Sequence, residues 1–257
     1  MTDQLTTTSP LVSEFHHKIR TYEINQHKQA TVATLINQMN EAALENVIDL
    51  KVSVWDLEPY HISWVLMRKY THINRLPTLG ETIKIVTYPA GFERVFTFRD
   101  YKIFSESDEL LAESSSTWLL MDTQTREMAK IPPFILDFQA KMPPREFCLA
   151  RPAFRLPKLQ QVDNEVLYTV RWHQLDFNQH LNNLFYVQWM MEALPDNVLL
   201  DYEMTHFEIQ YRMEARWKDL VVSQIQQLDK ITYLHKLIRK SDGKELAMAK
   251  TSWQTRG

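Results

Sequence analysis

Three side chains in the second half of this 257-residue chain sit at a spacing suited to acid–base chemistry: Asp176, Asn178 and His180, followed by Asn182-Asn183. A carboxylate can serve as base or as nucleophile, an imidazole can carry protons around neutral pH, and an amide can donate to an oxygen gaining negative charge. In an extended segment, positions i, i+2 and i+4 would all project to one side. The competing reading is mundane. Asp and Asn ahead of a helix are ordinary capping residues that satisfy orphan backbone N–H groups, and Asn182 and Asn183 suit that task equally well.

The elements that would hold these residues occur twice. Tyr22-Glu23-Ile24-Asn25-Gln26-His27 opens one helical stretch and Leu175-Asp176-Phe177-Asn178-Gln179-His180 opens another, with a shared Asn-Gln-His offset by 153 (178 minus 25). Each stretch ends in Glu-Ala, Glu41-Ala42 and Glu192-Ala193, which implies a two-residue length change between copies. On this alignment Glu23, Asn25 and His27 match the reactive set. Only the second copy has Asp-x-Asn-x-His and Asn182-Asn183, so the first is expected to be non-catalytic.

Periodicity predicts a strand over Phe15 to Ile24 and a helix over Thr31 to Asn46, with Val32, Leu35, Ile36, Met39 and Ala43 on one face. Strands follow at Ile62 to Ile73, Thr82 to Tyr88, Arg94 to Phe104 and Leu110 to Leu120, separated by turn signals. After six prolines between Ile131 and Pro157 the order recurs. A strand spans Glu165 to Leu175, and a helix Asn183 to Leu194 carries Leu184, Val187, Met191 and Leu194 on one stripe. Strands then fall near Met204 to Ala215, Asp219 to Leu228, Thr232 to Arg239 and Leu246 to Thr255. One long helix on an antiparallel sheet, repeated, is an α+β architecture whose two sheets would join in one chain. The divisions read as 11–130, a proline-rich linker 131–160, and 161–257.

Composition removes whole function classes. A formal charge of -3 with no long Lys/Arg block argues against a nucleic-acid partner. Only four glycines occur, none spaced for a phosphate-cradling loop or a serine nucleophile elbow. The single cysteine, Cys148, permits neither an internal disulfide nor a cysteine-rich zinc site, and no motif surrounds it. His16-His17 and the His173/His180 pair bring no carboxylate or cysteine cluster, so no metal is expected. No run approaches the length of a membrane span and the opening residues lack a leader pattern, so a soluble cytoplasmic protein is expected. Oligomeric state stays open, a homodimer among the arrangements allowed.

The motif Arg171-x-x-x-Leu175-Asp176-x-Asn178-Gln179-His180-x-Asn182-Asn183, with Glu208-Ile209-x-Tyr211-Arg212-x-Glu214, resembles the acyl-acyl carrier protein thioesterases, which are tandem hot-dog proteins. Tyr22-Glu23-Ile24, Trp118-Leu119-Leu120-Met121 and Thr125-Arg126 extend the resemblance across most of residues 12–255. It implies two hot-dog units, each a long helix wrapped by a curved antiparallel sheet. It also implies hydrolysis of the thioester between a fatty acyl chain and acyl carrier protein, with no cofactor of the enzyme's own. The catalytic positions carried over are Asp176, Asn178, His180 and Glu214, the last on the following strand. Plant members commonly have cysteine immediately after that glutamate; Ala215 stands there in this chain, which excludes a cysteine nucleophile at that position.

The chemistry of the residues fits. Asp176 would act as base or nucleophile, His180 as proton shuttle, and Glu214 would orient the imidazole or a water, or be a solvated charge beside Arg212 and Arg216. Asn178 would donate to the oxyanion, helped by free N–H groups where the helix begins near Asn183. The resemblance implies that the first unit lodges the acyl chain, with Val32, Ile36 and Met39 lining it; core filling is the alternative. Arg171, Arg212, Arg216 and Lys218 form the expected docking side for an acidic carrier. Rival readings are an acyl-CoA thioesterase of the same fold, a non-catalytic acyl-binding protein, and a hot-dog dehydratase, whose local pattern is missing.

Overall fold

The computed structural model describes residues 9–151 and 155–256. The opening tail before Ser9, and Pro152 among the prolines of the central stretch, lie outside the described residues. The chain divides into two units, Met1–Pro152 and Ala153–Gly257.

The first unit opens with β1 (Ser13–Lys18) and a short 3-10 turn, Thr21–Glu23, before the helix α1 (Val32–Asp49). A short α2 (Val54–Leu57) leads into β2 (Ile62–Ile73), β3 (Thr82–Glu93), β4 (Phe96–Ser105), β5 (Leu110–Asp122) and the two-residue β6 (Met128–Ala129), followed by α3 (Pro133–Leu136). The strands pair antiparallel in the order β1-β3-β4-β5-β2, with β6 on β5. Thr31 starts α1 by accepting the Thr34 N–H on its hydroxyl at 3.1 Å, a cap worth about 1 kcal/mol. The apolar stripe then lies against β1 and β3, with Leu35, Ile36 and Met39 all 0% exposed and Val32 and Ala43 buried beside them.

The second unit repeats this order. β7 (Asn164–Thr169), a 3-10 turn at Trp172–Gln174 and helix α4 (Asn183–Met191) precede a short α5 (Asp196–Asp201). β8 (Tyr202–Tyr211), β9 (Leu220–Gln227), β10 (Thr232–Arg239) and β11 (Glu245–Thr255) complete it. The antiparallel order β7-β9-β10-β11-β8 is that of the first unit, strand for strand. α4 is half as long as α1, because Leu194-Pro195 cannot continue a helix. Its buried residues are Tyr186, Val187, Trp189 and Met190; Leu184 and Met191 of the expected stripe are only half-buried.

Several boundaries differ from expectation for local reasons. The expected strands into Ile24 and Leu175 stop early because each chain turns into a 3-10 segment. The Arg20 N–H bonds the Glu23 carboxylate at 2.7 Å in one copy, and the Arg171 N–H bonds the Gln174 side chain at 2.8 Å in the other. β8 ends at Tyr211 because the N–H groups of Arg212 and Met213 converge on one acceptor, the Leu246 carbonyl, at 2.8 and 3.1 Å. The proline-rich stretch packs on the first unit rather than merely bridging. Ile131 and Ile135 join a core cluster with Val52, Leu57, Ile62 and Leu120, and Asp100 holds the Leu149 N–H and the Arg151 guanidinium at 2.8 and 3.1 Å. No helix among the described residues is long and apolar enough to cross a membrane.

Candidate active site

Residues 175–181 form a closed turn, not the extended segment expected. Leu175 and Leu181 bridge, the Asp176 N–H reaches the His180 carbonyl at 2.8 Å, and the Gln179 N–H returns to the Asp176 carbonyl at 3.0 Å. Gln179 takes the left-handed conformation (φ 63°), which costs a non-glycine residue roughly 1 kcal/mol and reverses the chain. Inside the turn, one oxygen of Asp176, Oδ1, accepts the N–H groups of Asn178 (2.8 Å) and His180 (3.0 Å). Capping and chemistry are therefore not exclusive for this residue: Oδ1 holds the turn and Oδ2 takes no hydrogen bond from the described residues.

Glu214 lies in the loop after β8 rather than on the strand itself. The loop is drawn to the turn by backbone pairing, with Leu181 N–H donating to the Ala215 carbonyl at 2.8 Å and a bridge between His180 and Arg216. That pairing brings Glu214 Oε2 to 3.3 Å from His180 Nε2, with the imidazole 18% and the carboxylate 34% exposed. A cleft of about 580 Å³ opens beside the imidazole, lined by Leu175, Asn178, Gln179, His180, Arg216 and two tryptophans, Trp172 and Trp217; neither Asp176 nor Glu214 is among its lining residues. The Asn178 side chain is exposed there and has no bonded partner among the described residues.

Other expected residues fall elsewhere. Asn182 is the α4 cap, accepting the Leu184 N–H at 2.9 Å, and the Phe185 N–H goes to the Asn182 carbonyl, which commits those two donors; the Asn183 N–H has no hydrogen-bond acceptor among the described residues. Asn183 is the first helical residue and is not among the cleft-lining residues. Val32, Ile36 and Met39 are buried side chains of α1. All four cations of the expected docking side, Arg171, Arg212, Arg216 and Lys218, are exposed, and Arg212 pairs with Glu245 at 2.7 Å. Burial pushes the Cys148 thiol up, so it stays protonated, and it points at the Ala90 carbonyl. Sequence reasoning missed Trp172, 72% exposed, and Trp217, whose ring carries the Lys218 ammonium 4.5 Å from its centroid. Large exposed aromatics leave no periodic signal.

The first copy carries the same turn in a different register from that expected. Ile24 bridges Ala30, Asn25 N–H reaches the Gln29 carbonyl at 2.8 Å, Lys28 is left-handed (φ 59°), and Asn25 Oδ1 accepts the N–H groups of His27 and Gln29. The structural offset is therefore 151 (176 minus 25), which also aligns Glu41-Ala42 with Glu192-Ala193 without a length change. Asn25 stands where Asp176 does, His27 where Asn178 does, and Gln29 where His180 does. The shared Asn-Gln-His string is a coincidence of composition. Glu23 is a structural residue, bonded by His17 at 2.9 Å and by Gln38 at 3.0 Å.

Two family models match this chain: the acyl-ACP thioesterase N-terminal domain over residues 11–138 and the C-terminal domain over residues 158–255. The chain belongs to the acyl-ACP thioesterase family. It is 28% identical over 264 residues to the chloroplast acyl-(acyl-carrier-protein) hydrolase FATB2 of Cuphea viscosissima, covering 95% of this chain and 63% of that relative. The chain thus spans less than two thirds of that relative's length. Among solved structures, the acyl-ACP thioesterase of Bacteroides thetaiotaomicron superposes with a TM-score of 0.85 at 17% identity, covering 95% of this chain and 98% of that one. The 12:0-ACP thioesterase of Umbellularia californica gives 0.85 at 24% identity, over 96% and 98%. These two likenesses show the fold, and both units of this acyl-ACP thioesterase family member are hot-dog units.

Proposed function

We propose that this protein hydrolyses the thioester between a fatty acyl chain and the phosphopantetheine arm of acyl carrier protein, releasing a free fatty acid. The observation that carries the reading is the His180–Glu214 pair at 3.3 Å, set beside a carboxylate with one free oxygen and an unengaged amide at an open cleft. Glu214 orients the imidazole. His180 supplies the proton for the departing thiolate as the C–S bond breaks, and the Asp176 Oδ2 oxygen serves as base for water or as the attacking group. Asn178 donates its amide to the carbonyl oxygen as it gains charge, a donor worth about 10²- to 10³-fold in rate. Arg216 and the two tryptophans at the cleft are suited to the phosphate and the apolar stem of the arm.

Purified protein given acyl-carrier and acyl-CoA thioesters of the same chain, with thiol and free acid both followed, tests this. Preferred turnover of the carrier substrate is the expected result. Preference for acyl-CoA would replace the carrier with a nucleotide-bearing substrate. A one-to-one acyl complex without free acid would make the protein an acyl binder instead.

A further inference from the structure

Glu214 lies in a loop without strand pairing of its own, yet its carboxylate must meet His180 at a fixed place. Its two flanking peptide groups share one side chain. The hydroxyl of Tyr186, on α4, donates to the Met213 carbonyl at 3.2 Å and accepts the Ala215 N–H at 3.0 Å. Arg239 Nη1 donates to the carbonyl of Glu214 itself at 3.4 Å. The tyrosine is 2% exposed, and its ring is set edge-on to Tyr211 at 5.6 Å between centroids, so the hydroxyl has little freedom to move. Burial raises its pKa well above the ordinary tyrosine value, which keeps the proton that the Met213 carbonyl needs.

The first copy serves as an internal control. The Ala30 N–H bonds the Pro77 carbonyl at 2.8 Å where Leu181 bonds Ala215, and Gln29 bridges Thr78 where His180 bridges Arg216. Pro77 therefore corresponds to Ala215 and Leu76 to Glu214. On the helix, Leu35 corresponds to Tyr186. The first copy makes the same loop approach with a buried leucine, no tyrosine hydroxyl, and a proline that has no N–H to offer. Closing the loop does not require the hydroxyl bridge; it accompanies the glutamate.

We propose that Tyr186 is a positioning residue that fixes the backbone on both sides of Glu214 and so sets the meeting of its carboxylate with His180. This rests on the His180–Glu214 pair acting as described under Proposed function.

The test is steady-state kinetics on an acyl-carrier thioester for wild type, Tyr186→Phe, Glu214→Gln and the double variant. Tyr211→Phe is the control: it removes a neighbouring buried hydroxyl that has no bonded partner among the described residues. Tyr186→Phe is expected to lower kcat about tenfold or more with KM nearly unchanged, and to change kcat by no more than about twofold when Glu214 is already Gln. Tyr211→Phe keeps the wild-type rate. A kcat within about twofold of wild type for Tyr186→Phe, or the same loss persisting in the Glu214→Gln background, overturns the proposal. Wild-type turnover in Glu214→Gln overturns the underlying reading of the pair and this proposal with it. Should Tyr186→Phe fail to fold, Ala215→Pro removes the N–H that the hydroxyl accepts, at a place where the first copy already tolerates proline. The same kcat loss and the same masking by Glu214→Gln are expected, and an unchanged kcat overturns the proposal.

Discussion

Asp176 closes its turn through one oxygen, Oδ1, and leaves Oδ2 for the chemistry proposed above; the first copy shows what the turn alone needs. Asn25 closes the equivalent turn with a neutral amide oxygen, so the turn needs an acceptor but no charge. Asp176→Asn is therefore expected to lower kcat by about 10²-fold or more while thermal unfolding stays nearly unchanged. A large fall in both would assign the residue to structure alone. His180→Ala should bring a comparable loss of rate. Cys148→Ala should leave turnover intact, because that thiol is held protonated. The residue types of the candidate site were legible in the sequence, but their geometry was not. The chain folds back at Gln179, a left-handed position that no glycine announces, so a 176–180 stretch that reads as alternating is a turn.

At the scale of elements, both helices begin at side-chain caps, Thr31 on α1 and Asn182 on α4. Asn182→Ala is expected to cost about 1 kcal/mol in a denaturant titration, read on the second unit. Since the same residue follows directly on the 175–181 turn that holds the proposed catalytic residues, a fall in kcat should accompany it. The strands were legible because β-branched and aromatic runs between turn signals define their extent, and Ile62–Ile73 and Thr232–Arg239 fall where that pattern placed them. What periodicity could not supply is how a strand ends. Arg212 and Met213 sharing the Leu246 carbonyl, and the side chains of Glu23 and Gln174 tying off their 3-10 turns, are local hydrogen-bond events without a repeat. The register between copies was misread for a related reason: a three-letter match outweighed the Glu-Ala pair that marks the true offset.

Over the whole molecule, buried ionisable groups link stability to pH. Lys69 is wholly inside the first unit, donating to Asn40 at 3.3 Å and lying 4.1 Å from the Tyr101 ring centroid; burial first, then repulsion from Arg99, lowers its pKa to about 7 from an ordinary 10.5. Between those values the unfolded chain holds the proton and the folded one does not, so raising pH across this window favours the folded state. Lys69→Met should therefore stabilise the protein at pH 7, with the advantage shrinking as pH climbs toward 10.5; calorimetry at several pH values checks the slope. His235 behaves similarly in acid. It is 0% exposed between the Met190 carbonyl and the Thr251 hydroxyl, and burial brings its pKa down to about 4 from 6.5. The unfolded chain protonates first as pH falls below 6.5, so stability is lost progressively down to about 4. His235→Gln should flatten that acid limb.

The left-handed residue at the tip of each turn, Lys28 in one copy and Gln179 in the other, has a consequence for engineering. Because both tips reverse the chain with matching main-chain bonds, the amino half holds a blank into which the proposed reactive set can be transplanted: Asn25→Asp, His27→Asn, Gln29→His, Leu76→Glu, Leu35→Tyr and Pro77→Ala, the last supplying the N–H that the tyrosine hydroxyl accepts. The main obstacle is solvation. Leu76 is only 5% exposed, so a carboxylate installed there must leave water and find its imidazole at once.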